Sequence, residues 1–167
     1  MPLRLILIRH AKSDWDNPLD TDHARPLNAR GRRAAPMVGT WLAAQGHVPG
    51  QVLVSDAVRT RQTWDLIAPA LPGPPEVTFL PALYHASAGQ MQRCLSAAQA
   101  DTVLMIGHNP GIAYFAAGLL ARPPAHADFQ RYPTCATLVA DFDAADWGQI
   151  GTGTCVDFKT PRDLGPR

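Results

Sequence analysis

Charge is scarce in this chain. Asp, Glu, Lys and Arg make up 17% of its 167 residues, and the formal net charge is +1. So even a balance supplies no broad basic face, and no nucleic-acid partner is expected. Cysteine is scarcer still: there are three, Cys94, Cys135 and Cys155, an odd number with no CxxC spacing. That argues against a disulfide framework and fits reduced thiols in a cytoplasmic protein. No apolar run approaches the about 20 residues of a membrane span, so no membrane partner is expected. The opening "MPLRLILIRH" is not a signal peptide, because its short apolar run meets Arg9 and His10 instead of a small-residue cleavage site. Also missing are a GxSxG elbow, a Walker A lysine loop and any His, Cys or carboxylate cluster with metal-ligand spacing such as HExxH. No metal or cofactor is expected.

What is present is a core. Hydrophobic residues reach 46%, enough for one domain over residues 1–167, and the 16 prolines are scattered rather than gathered into a disordered tract. Residues 3–8 read as a first strand, and "DNPLDTDHARP" as a polar loop. Asn28 is placed to cap a helix over residues 29–45, with Met37, Val38, Trp41 and Leu42 as its apolar stripe and Gly46 as its stop. Pro36 predicts a kink or a later start there. "QVLVS", "EVTFL" and "TVLMIG" read as three further strands. Each is followed by a segment of helical periodicity: Trp64, Ile67, Ala68 and Leu71; then Met91, Cys94, Leu95 and Ala98; then Ile112, Phe115, Ala116, Leu119 and Leu120. The rhythm then changes. "TCATLVADFD" and "GTCVDFK" are separated by too short a connection for a crossover helix and should pair antiparallel. The expectation is a three-layer α/β/α fold with a mostly parallel central sheet and an antiparallel edge.

In open sheets of this kind, ligands bind beyond the carboxyl ends of the strands. Those ends carry Arg9-His10, Ser55-Asp56 followed by Arg59, Tyr84-His85, and Gly107-His108-Asn109. Arg59 falls in the first turn of its helix, where the dipole disfavours a cation by some tenths of a kcal/mol unless an anion binds there. In "HNPG", Asn109 is suited to the N-cap and Pro110 to the first helical position, leaving His108 just outside a helix N-terminus. Guanidinium forks match phosphoryl oxygens, so a phosphoryl group is the expected ligand. Cys94 lies on an inward helical face and not at a strand end. His10 is itself a competent nucleophile: attack on phosphorus by its free ring nitrogen, with Arg9, Arg59 and His108 holding the equatorial oxygens, would form a phosphohistidine that water then hydrolyses.

These residues carry a family resemblance. "RHAKSDW", "SDAVRTRQT" and "GHNPG", in that order, are similar to the motifs of the histidine phosphatase superfamily, whose fold is called phosphoglycerate-mutase-like. The short length, "RPLNARG" and "LYHAS" most resemble its small SixA-type phosphohistidine phosphatase branch. The likeness runs from residue 3 to about residue 142. It implies His10 as nucleophile, a phosphate pocket of Arg9, Arg59 and His108, a metal-free reaction, and a mixed sheet with one antiparallel edge strand.

The departures from the pattern bear on the substrate. Ala11 replaces the usual glycine, Lys12 a commonly acidic residue, and Asp16 an asparagine frequent in larger relatives. The stretch after the third strand has no Glu, where larger relatives keep a general acid; Asp14, Asp16 and His85 are the nearest alternatives. General acid help is worth roughly 10²–10⁴-fold to a poor leaving group. Its absence favours phosphohistidine of a protein, or another activated or small phosphorylated substrate. The short span between the third and fourth strands predicts an open pocket. Lys12, Asp16, His85 and Asn109 are the candidate substrate-binding residues, while Arg61 reads as a surface charge. The alternatives are a phosphoglycerate-mutase-type phosphotransferase and a non-catalytic phosphate-binding module.

Overall fold

A computed structural model describes residues 2–165. Six strands form one sheet: β1 (Leu3–Arg9), β2 (Gln51–Ser55), β3 (Glu76–Leu80), β4 (Thr102–Gly107), β5 (Thr137–Phe142) and β6 (Thr154–Lys159), in the order β3-β2-β4-β1-β5-β6. The first four are mutually parallel, and β5 runs against both β1 and β6. The fold is therefore α/β and mostly parallel, with the antiparallel pairings gathered at one edge, as in phosphoglycerate-mutase-like proteins. The reversed strand is second from that edge. β6, outermost, again follows the direction of β1.

Strand alternation feeds two cores. Leu3, Leu5 and Leu7 of β1 and Val103 and Met105 of β4 join one cluster, with Met91, Leu95, Ile112 and Phe115. Ile6 and Ile8 of β1 and Leu104 and Ile106 of β4 join the other, with Val38, Leu42, Trp64 and Ile67. A strand with a core on each face needs no alternation, and "LRLILI" shows none, its one polar residue, Arg4, pairing with Asp141 near the start of the strand. The helices follow: α1 (Ala29–Ala44) and α2 (Val58–Ile67) cover one face, α3 (Ala88–Ser96) and α4 (Gly111–Leu119) the other. A short α5 (Pro161–Leu164), unforeseen in the sequence, ends the described chain. Among the described residues, no helix is long and apolar enough to cross a membrane.

α1 starts where Asn28 predicts, with its side chain accepting from the Gly31 amide. The later start considered at Pro36 does not occur, and the helix runs through it. Gly31 is required: a Cβ there would lie 2.2 Å from the Lys12 carbonyl oxygen. This seats α1 directly on the turn that follows β1. β1 and β4 are adjacent, yet the helices that follow them leave to opposite faces. That reversal opens a crevice at their carboxyl ends, the place where such sheets bind ligands.

Candidate active site

β1 and β4 pair in register up to Arg9 opposite Gly107, so the next residue of each strand, His10 and His108, emerges side by side into the crevice. The His10 amide donates to the Gly107 carbonyl at 3.1 Å, and the two imidazole rings lie 5.3 Å apart, centre to centre. His10 is buried, and its Nδ1 is 2.7 Å from the Ala11 carbonyl oxygen. A carbonyl only accepts, so Nδ1 carries the hydrogen and Nε2 keeps the lone pair. Nε2 has no hydrogen-bond partner among the described residues. Burial lowers the His10 pKa to about 3; Arg9, Arg59 and Arg25 push the same way, and the Ala11 carbonyl opposes them. The ring is a neutral base at physiological pH.

Three groups surround it. Arg59, buried in the first turn of α2, donates through Nη1 to the Asp22 carbonyl at 2.6 Å and through Nη2 to Asp22 Oδ2 at 3.2 Å. Arg9 donates through Nη1 to the Tyr132 carbonyl at 3.2 Å. His108 Nε2 lies 2.7 Å from Ser55 Oγ, at the end of β2. Burial, with His10 and Arg59 beside it, lowers the His108 pKa to about 2. Arg9 Nε, Arg59 Nε and His108 Nδ1 are buried without a partner. Buried polar groups are normally paired, so three such donors or potential donors in one crevice mark a site for a polar ligand. Two guanidiniums, a neutral imidazole with a free lone pair, and a second imidazole suit a tetrahedral oxyanion.

The solvent side of the crevice was not foreseen. The polar loop before α1 brings Asp22 over Arg59, and that carboxylate is a hub. Oδ1 accepts from Arg25 Nη2 at 2.8 Å. Oδ2 accepts from Arg59, from the Tyr84 hydroxyl, and from His85 Nε2 at 3.0 Å. Burial opposes ionisation of Asp22, but Tyr84, Arg59 and Arg25 outweigh it and hold the carboxyl well below its usual range. Arg25 is buried beneath Trp15, its guanidinium 3.6 Å from the ring centre. The one available signal was the segment "DHARP", which sets an acid three residues before an arginine. That spacing has no meaning until the loop is closed, as it is by the Ser13–Leu27 bridge.

The remaining candidates fall on both sides of this boundary. His85 is in the hub, stacked on Tyr84 at 4.0 Å and 5.9 Å from the His108 ring. Asn109 is half-buried beside Arg9, but it does not cap α4, which starts at Gly111 after Pro110 with no side-chain cap. Its amide is committed elsewhere, donating to the carbonyls of Arg131 at 2.9 Å and Tyr132 at 3.2 Å. The Tyr132 carbonyl also takes Arg9, so Asn109 braces the loop that orients that guanidinium. Lys12 is exposed and lines a separate cavity with Arg30, Arg131 and Arg162. Asp16 is exposed, its amide bonded to Asp14 Oδ1, and no hydrogen bond or ion pair joins it to the crevice. Arg61 donates to the Asp56 carbonyl and lies over the Phe79 ring, with no hydrogen bond or ion pair to the crevice residues. Burial raises the Cys94 thiol and pushes Cys135 up to about 12, so neither is a ready thiolate.

Known proteins resemble this chain in sequence and in fold. Residues 5–98 match the model of the histidine phosphatase superfamily (branch 1). An uncharacterised chloroplastic protein of Arabidopsis thaliana is 38% identical over 119 residues, 65% of this chain and 55% of that protein, so the chain spans just over half of that relative's length. Among solved structures, one assigned as phosphohistidine phosphatase SixA from Agrobacterium tumefaciens superimposes with a TM-score of 0.83 at 26% identity, over 96% of this chain and 99% of that one. A structure of the protein histidine phosphatase SixA complexed with tungstate gives 0.80 at 26% identity, over 98% and 100%. With a family match over more than half its length and these two superpositions, the chain belongs to the histidine phosphatase superfamily, branch 1, and is of the SixA type.

Proposed function

We propose that this protein is a metal-independent phosphatase that works through a phosphohistidine on His10. The observation that carries the reading is the His10 ring: Nδ1–H anchored on Ala11, Nε2 without a hydrogen-bond partner among the described residues, and Arg9, Arg59 and His108 around it. Nε2 attacks phosphorus in line. The Ala11 carbonyl then stabilises the N-phosphoimidazolium, because Nδ1–H becomes a stronger donor as the ring gains charge. Arg9 and Arg59 are placed to take equatorial oxygens, where negative charge develops. His108, neutral and steadied by Ser55, is placed to complete the pocket. Water releases phosphate in a second step.

The substrate we favour is phosphohistidine of a protein, with other activated or small phosphorylated compounds as the wider class. Two features support it. The segment after β3 offers no carboxylic acid of its own, so a leaving group that needs little protonation is served best. Beside His85 and Asn109 opens a cavity of about 730 Å³, lined also by Ser87, Gly111 and the exposed Tyr114. It gives room for a leaving group that is part of a folded protein. The single sheet with its two cores supports treating residues 1–167 as one catalytic domain. The reading is tested by comparing wild type with His10→Ala on phosphoramidate and on a phosphohistidine-bearing protein. Hydrolysis of both by wild type and of neither by the variant is expected. Equal rates in the two proteins would overturn it.

A further inference from the structure

The nucleophile lies on the buried floor of the crevice, so in-line transfer obliges the leaving group to depart, and the attacking water to arrive, on the solvent side. A carboxylate already stands there. Asp22 is reached by donors from three segments: Arg25 on its own loop, Arg59 on α2, and Tyr84 and His85 after β3. Held ionised, it has no proton to give a leaving group but can take one from a water, and it comes from a loop more than sixty residues before Tyr84. Its side chain is 41% exposed, so water reaches it. A carboxylate offers about four lone-pair positions. Oδ2 receives three donors but Oδ1 only Arg25, which leaves Oδ1 free to accept from a water.

Resting on the phosphohistidine reading above, we infer that Asp22 is the general base that takes the proton from the water hydrolysing the His10 phosphoenzyme. In that step the water oxygen forms a bond to phosphorus. The P–Nε2 bond breaks and its electron pair returns to the imidazole. The water's proton passes to Asp22 Oδ1 and then to solvent, leaving inorganic phosphate.

The hub couples base strength to the phosphoenzyme. In the free protein, Arg59, Arg25 and Tyr84 keep Asp22 ionised and weakly basic. A phosphoryl group on His10 competes for the Arg59 fork and brings negative charge near the carboxylate. Both changes raise its affinity for a proton. Asp22 thus becomes an effective base when there is a phosphohistidine to hydrolyse.

The test is a quenched-flow experiment with phosphoramidate as the phosphoryl donor, comparing wild type, Asp22→Asn and Asp22→Ala. Asn keeps the shape and an accepting oxygen but cannot take the proton. In Asp22→Asn, phosphorylation of His10 proceeds to about one phosphoryl group per site, while steady-state turnover falls by about 10²–10⁴-fold. Acetate added to Asp22→Ala restores part of the turnover. Decay of the phosphoenzyme at the wild-type rate in both variants overturns the inference. So does an equal loss of phosphorylation and hydrolysis, the mark of a group that only positions Arg59. If His10 is not the nucleophile, no His10 phosphoenzyme forms in any of the three proteins, a result distinct from either.

Discussion

At the carboxyl ends of β1, β2 and β4, His10 and His108 are 6% and 3% exposed and are held by a backbone carbonyl and a serine. A short distance toward solvent, Asp22, Tyr84 and His85 are held mainly by one another and by two arginines. The floor rests on strand register, which the whole sheet enforces. The solvent side rests on loops closed by charge. Interactions of the second kind are screened by salt and cost side-chain entropy. On the proposed function, the rigid floor takes the phosphoryl group, and the adjustable hub above it handles protons.

This contrast can be broken or sharpened by mutation. The largest effect belongs to the floor: His10→Ala lowers phosphatase turnover by about 10⁴-fold or more, measured with p-nitrophenyl phosphate, since the variant loses the ring nitrogen proposed to take the phosphoryl group. Arg59→Ala, at the junction of the two regions, lowers kcat by about 10²–10³-fold, the usual cost of a lost charge-stabilising donor. Gly31→Ala tests the seat of α1 on the turn after His10. Helix propensity favours the change by about 1 kcal/mol. The 2.2 Å approach to the Lys12 carbonyl is backbone against backbone, though, and overpacking of this kind costs about 1–3 kcal/mol or more. A net loss of stability in urea titrations is the expected sign. Tyr84→Phe removes one of four donors to Asp22 and changes turnover by less than about tenfold, because Arg59, Arg25 and His85 remain.

The smallest expected effect is an absence of change. With its pKa near 3, His10 stays neutral as pH falls from 7 to 5, and its ring NMR signals stay fixed over that range. An unfolded histidine takes up a proton near pH 6.5. Between about pH 6.5 and about 3 the unfolded chain therefore binds more protons than the native one. The native state loses stability as pH falls through that window. Ring signals that titrate near pH 6.5 would show His10 to be as solvated as the hub, and the contrast would disappear.

The same contrast sets what the sequence discloses. β1 to β4 are legible because strands of 5–7 residues, rich in Leu, Val and Ile and bounded by polar tips, have few other readings. Their tips named Arg9, His10, Arg59 and His108 directly, since a parallel sheet places all its carboxyl ends on one side. Asp22 and Arg25 were hidden in "DNPLDTDHARP" because a loop has no period from which direction can be read. Asn109 looked like a cap by local rules, yet the chain after α4 returns with the carbonyls of Arg131 and Tyr132 and claims its amide. Lys12 and Asp16 looked like site residues by proximity in sequence to His10. The turn after β1 instead carries both away, one to a separate cavity and the other to an exposed loop.

The central claim, that Nε2 of His10 receives the phosphoryl group, is tested most directly by ³¹P NMR of the protein phosphorylated by phosphoramidate and then denatured in alkali, with His10→Ala as control. A resonance of phosphohistidine substituted at Nε2, absent from the variant, is the predicted result. Substitution at Nδ1, or a resonance that survives in His10→Ala, would contradict it.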